Sequence, residues 1–331
     1  MGRPIDFADK YIEPRTQAGQ AALDRQRRKK GAAFQKATPA QVVRRVLLAL
    51  LGLVLLYTGY MLMDAWMDLH AMPAARTDTV DGNTIGTVAL EAKAARVDSL
   101  SLDGAVMLDA VMDDLSSGGY TAACFDIKRA DGTIGYASTL GTVAAAGAVS
   151  SPAGDLRSSC QKLGKNDLLV LGRMMCYPDQ VQTAANPAWA VSSGKTVFAD
   201  TDGTRYLNPD KTEVYTYIRS LVEESFRAGV TVFVLEGTEL PQAAGTFSHS
   251  GFADLSKRLT ADLGQEVKFL QPVPVQLTSA KTADLKKEVA EKCARNPGEN
   301  QIYTITCPEK SRRAVKQMLD DRGCTCYLIT E

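Results

Sequence analysis

The chain has 331 residues, room for two average domains or one large one. Lysine plus arginine and aspartate plus glutamate both number 38, and 45% of the residues are hydrophobic. That composition excludes a mostly disordered chain and a globally basic nucleic-acid binder. With two histidines, His70 and His249, it also argues against His-rich metal sites and most His-based acid–base machinery, so no metal or cofactor is expected.

The zero net charge hides an asymmetry, for residues 1–45 hold 11 basic and 4 acidic side chains. After them, Val46–Met63 carries no charge at all. As a helix such a run spans roughly 27–30 Å, close to the hydrocarbon thickness of a bilayer. Tyr57, Tyr60 and Trp66 stand toward its far end, where an aromatic belt belongs. Arg25, Arg27, Arg28, Lys29, Lys30, Lys36, Arg44 and Arg45 precede it; Asp64 and Asp68 follow. The positive-inside rule then predicts a basic cytoplasmic tail (1–45), one transmembrane helix (46–66), a linker (67–95) and an extracellular domain (96–331). This describes a single-pass cell-membrane protein that meets the lipid bilayer through one helix. A cleaved signal peptide is the rival, although a charged region of about 45 residues before the apolar run is unusually long for one. The basic tail reads as topology-setting, not as an arm for nucleic acid.

Beyond the linker, helices alternate with short apolar strands. A strand at Arg96–Leu102 is followed by a helix over 104–117, which Gly118-Gly119 stops. Tyr120–Ile127 reads as a strand, and Ala130-Asp131-Gly132 as the turn into a hairpin arm at Ile134–Ala137. The small-residue run 141–154 reads as a loop and 155–163 as a helix. Asp167–Met174 is nearly all apolar, as a strand covered on both faces must be. Asn208 can cap the next helix and Pro209 suits its first turn; its apolar positions run from Val214 to Phe226, and Gly229 can end it. Further strands are expected at Val230–Leu235, Glu266–Leu270, Gln301–Thr306 and Cys324–Ile329, with helices at 251–263, around Leu285–Ala290 and at 308–322. Such alternation favours a parallel sheet with right-handed crossovers, closed as a barrel or open and doubly wound.

Four local patterns narrow the choice. Phe125-Asp126-Ile127-Lys128 precedes the Asp131-Gly132 turn and Tyr136; Gly172-Arg173-Met174 precedes Tyr177-Pro178-Asp179. Tyr206-Leu207-Asn208-Pro209 comes later, and Leu235-Glu236-Gly237-Thr238-Glu239-Leu240-Pro241 comes last. With Asn186, Pro187, Trp189 and Ala190 between them, their order and spacing resemble a glycoside-hydrolase-like domain family of bacterial surface proteins, a TIM-barrel family related to amylase-type barrels. The resemblance runs from about residue 100 to residue 241. It departs at the last pattern, where Glu236 replaces the family's Asp and Glu239 its Arg. It implies a TIM-barrel-like (β/α) domain, complete or not, behind the transmembrane helix.

In a TIM barrel, side chains at the C-terminal strand ends point into the active-site mouth. Asp126, Arg173 and Glu236 fall at such ends. Glycoside hydrolysis uses two carboxyl groups, a proton donor and a nucleophile or base, so Asp126 and Glu236 are the catalytic candidates. Arg173 would hold a carboxylate or a sugar hydroxyl, Tyr177, Trp189 or Tyr206 would stack on a sugar ring, and Lys128, Asn208 and Glu239 complete the expected binding set. Each has a plainer alternative. Asp126 could simply pair with Lys128 or Arg173, Trp189 could pack beside Pro187, and Asn208 could do no more than start a helix. Glu239, if close, repels Glu236 and favours its protonated form, or else the family's site has been abandoned. The expected partner is a cell-envelope or environmental polysaccharide or oligosaccharide; the alternative is an inactive barrel serving as a glycan- or protein-binding scaffold. The seven cysteines all follow the apolar span and could form disulfides or stay buried and free. Ser248-His249-Ser250-Gly251 lacks a nucleophile elbow and reads as a polar loop.

Overall fold

The computed structural model describes residues 90–97 and 105–330, apart from 152, 280, 294 and 295, together with residues 25, 48 and 52. Apart from those last three positions, the expected tail and transmembrane span lie outside the described residues, as does the linker up to residue 89. Among the described residues no helix is long and apolar enough to cross a membrane.

Seven parallel strands close into a barrel. They are β1 (Ala92–Val97), β2 (Ala122–Lys128), β3 (Leu169–Met175), β4 (Val232–Glu236), β5 (Lys268–Gln276), β6 (Gln301–Thr306) and β7 (Cys326–Thr330). Each pairs with the next, and β7 returns to β1 through Ala92 opposite Cys326. Closure removes the open doubly wound sheet from consideration. The connections carry α1 (Ala105–Ser117), α2 (Gly141–Ala146), α3 (Leu156–Lys165), α4 (Gln180–Ala185), α5 (Thr212–Ala228), α6 (Phe252–Leu263), α7 (Thr282–Lys292) and α8 (Arg312–Asp321).

Alternation along each strand sorts the side chains. Ala92, Ala94, Ala122, Cys124, Leu171, Val232, Val234, Leu270, Ile302, Cys326 and Leu328 fill the barrel. Small residues on β1 and β2 suit an interior ringed by only seven strands, since barrel width grows with strand number. The other face packs under the helices. α5 presents Val214, Tyr217, Ile218, Leu221, Val222 and Phe226 at helical spacing, all buried, and Gly229 ends it with φ 116°. Burying one such side chain stabilises by roughly 1.5–3 kcal/mol.

Several elements differ from the sequence reading. β1 begins at Ala92, inside the stretch read as linker and four residues before the expected strand. The run read as a loop from 141 opens with α2, closed by Gly147 in the left-handed region. Ile134–Ala137 is not a strand; Ile134 makes one antiparallel bridge to Lys128 and one parallel bridge to Val149. α5 starts at Thr212 behind Lys211, so Asn208 does not cap it. Instead Asn208 Oδ1 accepts from the Asp210 amide at 2.9 Å, a local turn that competes with helix.

β5 is longer than expected because it serves two neighbours in sequence. It pairs with β4 through Lys268–Leu270 and with β6 through Gln271–Gln276. The Lys268 amide donates toward β4 and the Gln271 amide toward β6, so amides alternate between the two sides. Pro272 and Pro274 fall on the β4 side, where they have no N–H to give. Pairing of β4 with β5 accordingly stops at Val234–Leu270, so Leu235 and Glu236 have no ladder partner on β5.

Candidate functional site

The inward positions Arg96, Asp126, Arg173 and Glu236 end β1, β2, β3 and β4 at the C-terminal face. They form one zigzag of charge. Arg96 donates to Asp126 Oδ2 through Nε at 3.1 Å and Nη2 at 2.6 Å. Arg173 donates through Nη1 to Asp126 Oδ1 at 3.1 Å and through Nη2 to Glu236 Oε2 at 2.7 Å. The Arg129 Nε lies 3.9 Å from Asp126 Oδ2. Burial opposes the charge on Arg173, but the hydrogen bond and charge of Glu236, joined by those of Asp126, hold its pKa above the ordinary arginine value.

The two carboxylates differ in access. Asp126 is 4% exposed and accepts a guanidinium on each oxygen. Glu236 is 14% exposed, and its Oε1 takes no hydrogen bond among the described residues. Glu236, past the end of the β4–β5 ladder, therefore keeps some access to solvent, while Asp126 is closed in between arginines. Glu239 is exposed and turns to Gly251 at the start of α6, where a side chain on that glycine would begin 3.0 Å from Glu239 Oε1.

Lys128, expected to bind substrate, is buried in the wall instead. Its Nζ donates to the carbonyls of Met175 at 2.9 Å, Pro178 at 2.7 Å and Cys176 at 3.4 Å. It lies 3.1 Å from Asp179 Oδ2, with both side chains 0% exposed. Asp179 in turn caps α4 by accepting from the Gln182 amide at 2.7 Å. The Asp131-Gly132 turn rests on that carboxylate. A Cβ on Gly132, whose φ is +92°, would come within 2.0 Å of Asp179 Oδ1, so only glycine fits. The Asp-x-Lys, Asp-Gly and Tyr-Pro-Asp patterns are thus one buried unit that pins the β3–α4 loop over β2.

The expected stacking residues are placed in the scaffold too. Tyr177 is buried and donates from its hydroxyl to the His249 carbonyl at 2.9 Å. Tyr206 is buried, its ring 6.1 Å from Phe198 and its hydroxyl 2.5 Å from Asp200 Oδ2. Trp189 is half-buried with its ring 6.1 Å from that of Tyr217. Asn208 donates its amide to the Trp189 carbonyl at 2.7 Å. Of the expected site residues, the structure brings Asp126, Arg173 and Glu236 together and leaves the aromatic residues around α5 and the β3 loop.

Two contributors were not singled out from sequence. Arg96 is one; its signal was the alternation Ala92, Ala94, Arg96, two small interior residues and then a charge. Glu224 on α5 is the other, an anchor of the scaffold and not a member of the charged cluster. It accepts from the Tyr136 and Ser138 hydroxyls at 2.6 Å each, and from the Thr139 amide and hydroxyl at 2.7 Å each. Burial raises its pKa, but the hydrogen bonds from Ser138, Tyr136 and Thr139 outweigh that and hold it below the usual carboxylate value.

All seven cysteines are buried, and no disulfide joins them among the described residues. Burial pushes the Cys176 thiol up to about 12, which leaves little thiolate for nucleophilic attack. Among the described residues no group of His, Cys, Asp and Glu could hold a metal ion.

Several solved structures are similar to the chain at low identity. A hypothetical protein from Ruminiclostridium thermocellum is 20% identical over 54% of this chain and 96% of its own, with a TM-score of 0.48. An alpha-L-fucosidase from Paenibacillus thiaminolyticus is 12% identical over 73% of this chain and 46% of its own, with a TM-score of 0.49. An alpha-amylase from Lactobacillus plantarum is 12% identical over 72% and 70%, with a TM-score of 0.44. The chain spans less than half the length of that fucosidase. No curated protein matches the sequence. Residues 98–233 match a family described as "Putative glycosyl hydrolase domain", a match that ends three residues before Glu236. The chain thus carries a divergent glycoside-hydrolase-like barrel domain.

Proposed function

We propose that the protein is held in the cell membrane by residues 46–66, keeps its barrel on the outer side, and takes a cell-envelope or environmental glycan into the C-terminal mouth. The observation that carries the reading is the Arg173 bridge between Asp126 and Glu236 at the ends of adjacent strands. Glu236 meets the glycan, one oxygen steadied by Arg173 and the other open to accept a hydroxyl. Asp126 orients Arg96 and Arg173, whose remaining N–H groups suit sugar oxygens. This division favours recognition over two-carboxylate chemistry, because neither oxygen of Asp126 is available to a substrate.

Hydrolysis is the second reading, favoured by the same bridge. One guanidinium spanning both carboxylates suits the separation of about 5–9.5 Å that glycosidases use. Asp126 would then have to exchange an arginine for the substrate. The deciding experiment uses the full chain in nanodiscs. Binding to a panel of α- and β-linked oligosaccharides and peptidoglycan fragments is measured beside release of reducing ends, with Glu236→Gln as control. Binding without release, weakened about tenfold by the variant, is the expected result. Release that the variant abolishes supports hydrolysis. Neither binding nor release by folded protein overturns both. Protease digestion of the barrel on intact cells, with the tail protected, checks the orientation.

A further inference from the structure

The loop from β4 to α6 contains a polar stretch that the mouth described above does not use. Its geometry is unusually constrained for an exposed segment. The Ser248 and His249 amides donate to Asp210, at 3.2 Å to Oδ2 and 2.9 Å to Oδ1. The His249 carbonyl accepts from the Tyr177 hydroxyl. The ring Nδ1 lies 3.3 Å from Asp254 Oδ2 on the first turn of α6, and Asp254 is itself 3.6 Å from Arg258. Backbone and ring are therefore held from three separate elements. The side chain remains 46% exposed, and Nε2 takes no hydrogen bond among the described residues.

This imidazole stands at the same end of the barrel as Glu236. The loop leaves β4 directly after Glu236 and is closed on itself by the Gly251 amide donating to the Thr238 carbonyl at 2.9 Å. Tyr177, which holds His249, also donates its amide to the Gly237 carbonyl at 3.1 Å. A carboxylate beside Nδ1 selects the tautomer with the proton on that nitrogen. Nε2 is then an acceptor, presented to solvent on the rim.

Resting on the glycan reading of the mouth, we propose that His249 is a rim contact whose Nε2 accepts a hydrogen bond from a sugar hydroxyl, with Asp254 as its positioning residue. Sugars supply hydroxyl donors in quantity, and an acceptor whose tautomer is already set loses little freedom on binding. The sequence holds only two histidines, so His70→Ala leaves His249 as the single imidazole for nitrogen NMR. In the full chain in nanodiscs its spectrum should show the Nδ1–H tautomer, and Asp254→Asn should mix the two forms. With maltotetraose, chitotetraose and a muramidase digest of peptidoglycan as probes, His249→Ala should weaken the bound probe about three- to tenfold, the worth of one hydrogen bond. His249→Gln, which retains an acceptor, should recover part of the loss. An Nε2–H tautomer overturns the proposal. So does unchanged affinity in His249→Ala while Glu236→Gln still weakens binding, and in that case the mouth reading survives. If wild type binds none of the probes, both fall.

Discussion

The two sides of the barrel are built to different rules. β1 to β4 end at the mouth in Arg96, Asp126, Arg173 and Glu236, and the connections after β2 and β3 are long and pinned by buried charge. β5 to β7 continue inward with Pro272, Pro274, Thr304, Thr306 and Thr330, and their helices pack over a separate apolar cluster around Tyr303, Ile305, Tyr327 and Ile329. Thr306 and Thr330 meet each other at 3.1 Å. One side carries the charged strand ends and the other closes the wall. The family match covers residues 98–233, which include Asp126 and Arg173 but neither Arg96 nor Glu236.

The largest break in that contrast should come from the buried pair. Lys128→Met leaves Asp179 charged and unpaired where neither side chain reaches solvent, so urea unfolding should show a loss of about 3–5 kcal/mol. Gly172→Ala, next, forces a Cβ to 2.8 Å from Ile127 and 2.9 Å from Val230; overpacking of this kind costs about 1–3 kcal/mol by the same assay.

Glu224→Gln should lower stability by about 1–2 kcal/mol at neutral pH, since a charged acceptor of four hydrogen bonds is replaced by a neutral one. Its pH dependence follows from the lowered folded-state pKa. The stabilisation is present above the unfolded value near 4.5 and is lost as pH falls through the lower folded value. Wild type should therefore lose stability on acidification more steeply than the variant. The smallest effect belongs to the other side: Thr306→Val should change stability by no more than about 0.5 kcal/mol and leave glycan binding unaltered. A large loss of binding there would dissolve the distinction between the two sides.

Much of this fold is legible in the sequence. The strand at Gln301–Thr306 has its expected bounds, and α5 shows the predicted buried face and terminal glycine. Apolar runs and 3.6-residue spacing are local signals, and local signals survive folding. Asp126 and Arg173 were paired correctly as neighbours at strand ends. Lys128 was placed with Asp126, two residues away in the same strand, but the strand shifts register between Asp126 and Lys128 and the ammonium turns to Asp179. Tyr177 and Tyr206 looked like sugar platforms because residue type does not reveal burial.

Sequence alone determined the alternation of strand and helix, the charged strand ends, and the order of the patterns that identify the domain. These depend on side-chain type and spacing along one chain. Tertiary structure alone decided that seven strands close, that the β4–β5 ladder ends before Pro272, Pro274 and Glu236, and that Asp126 lies between two arginines while Glu236 Oε1 takes no hydrogen bond among the described residues. Those facts depend on which strand faces which, and on how much water each carboxylate retains once the neighbouring strands have delivered their guanidinium groups.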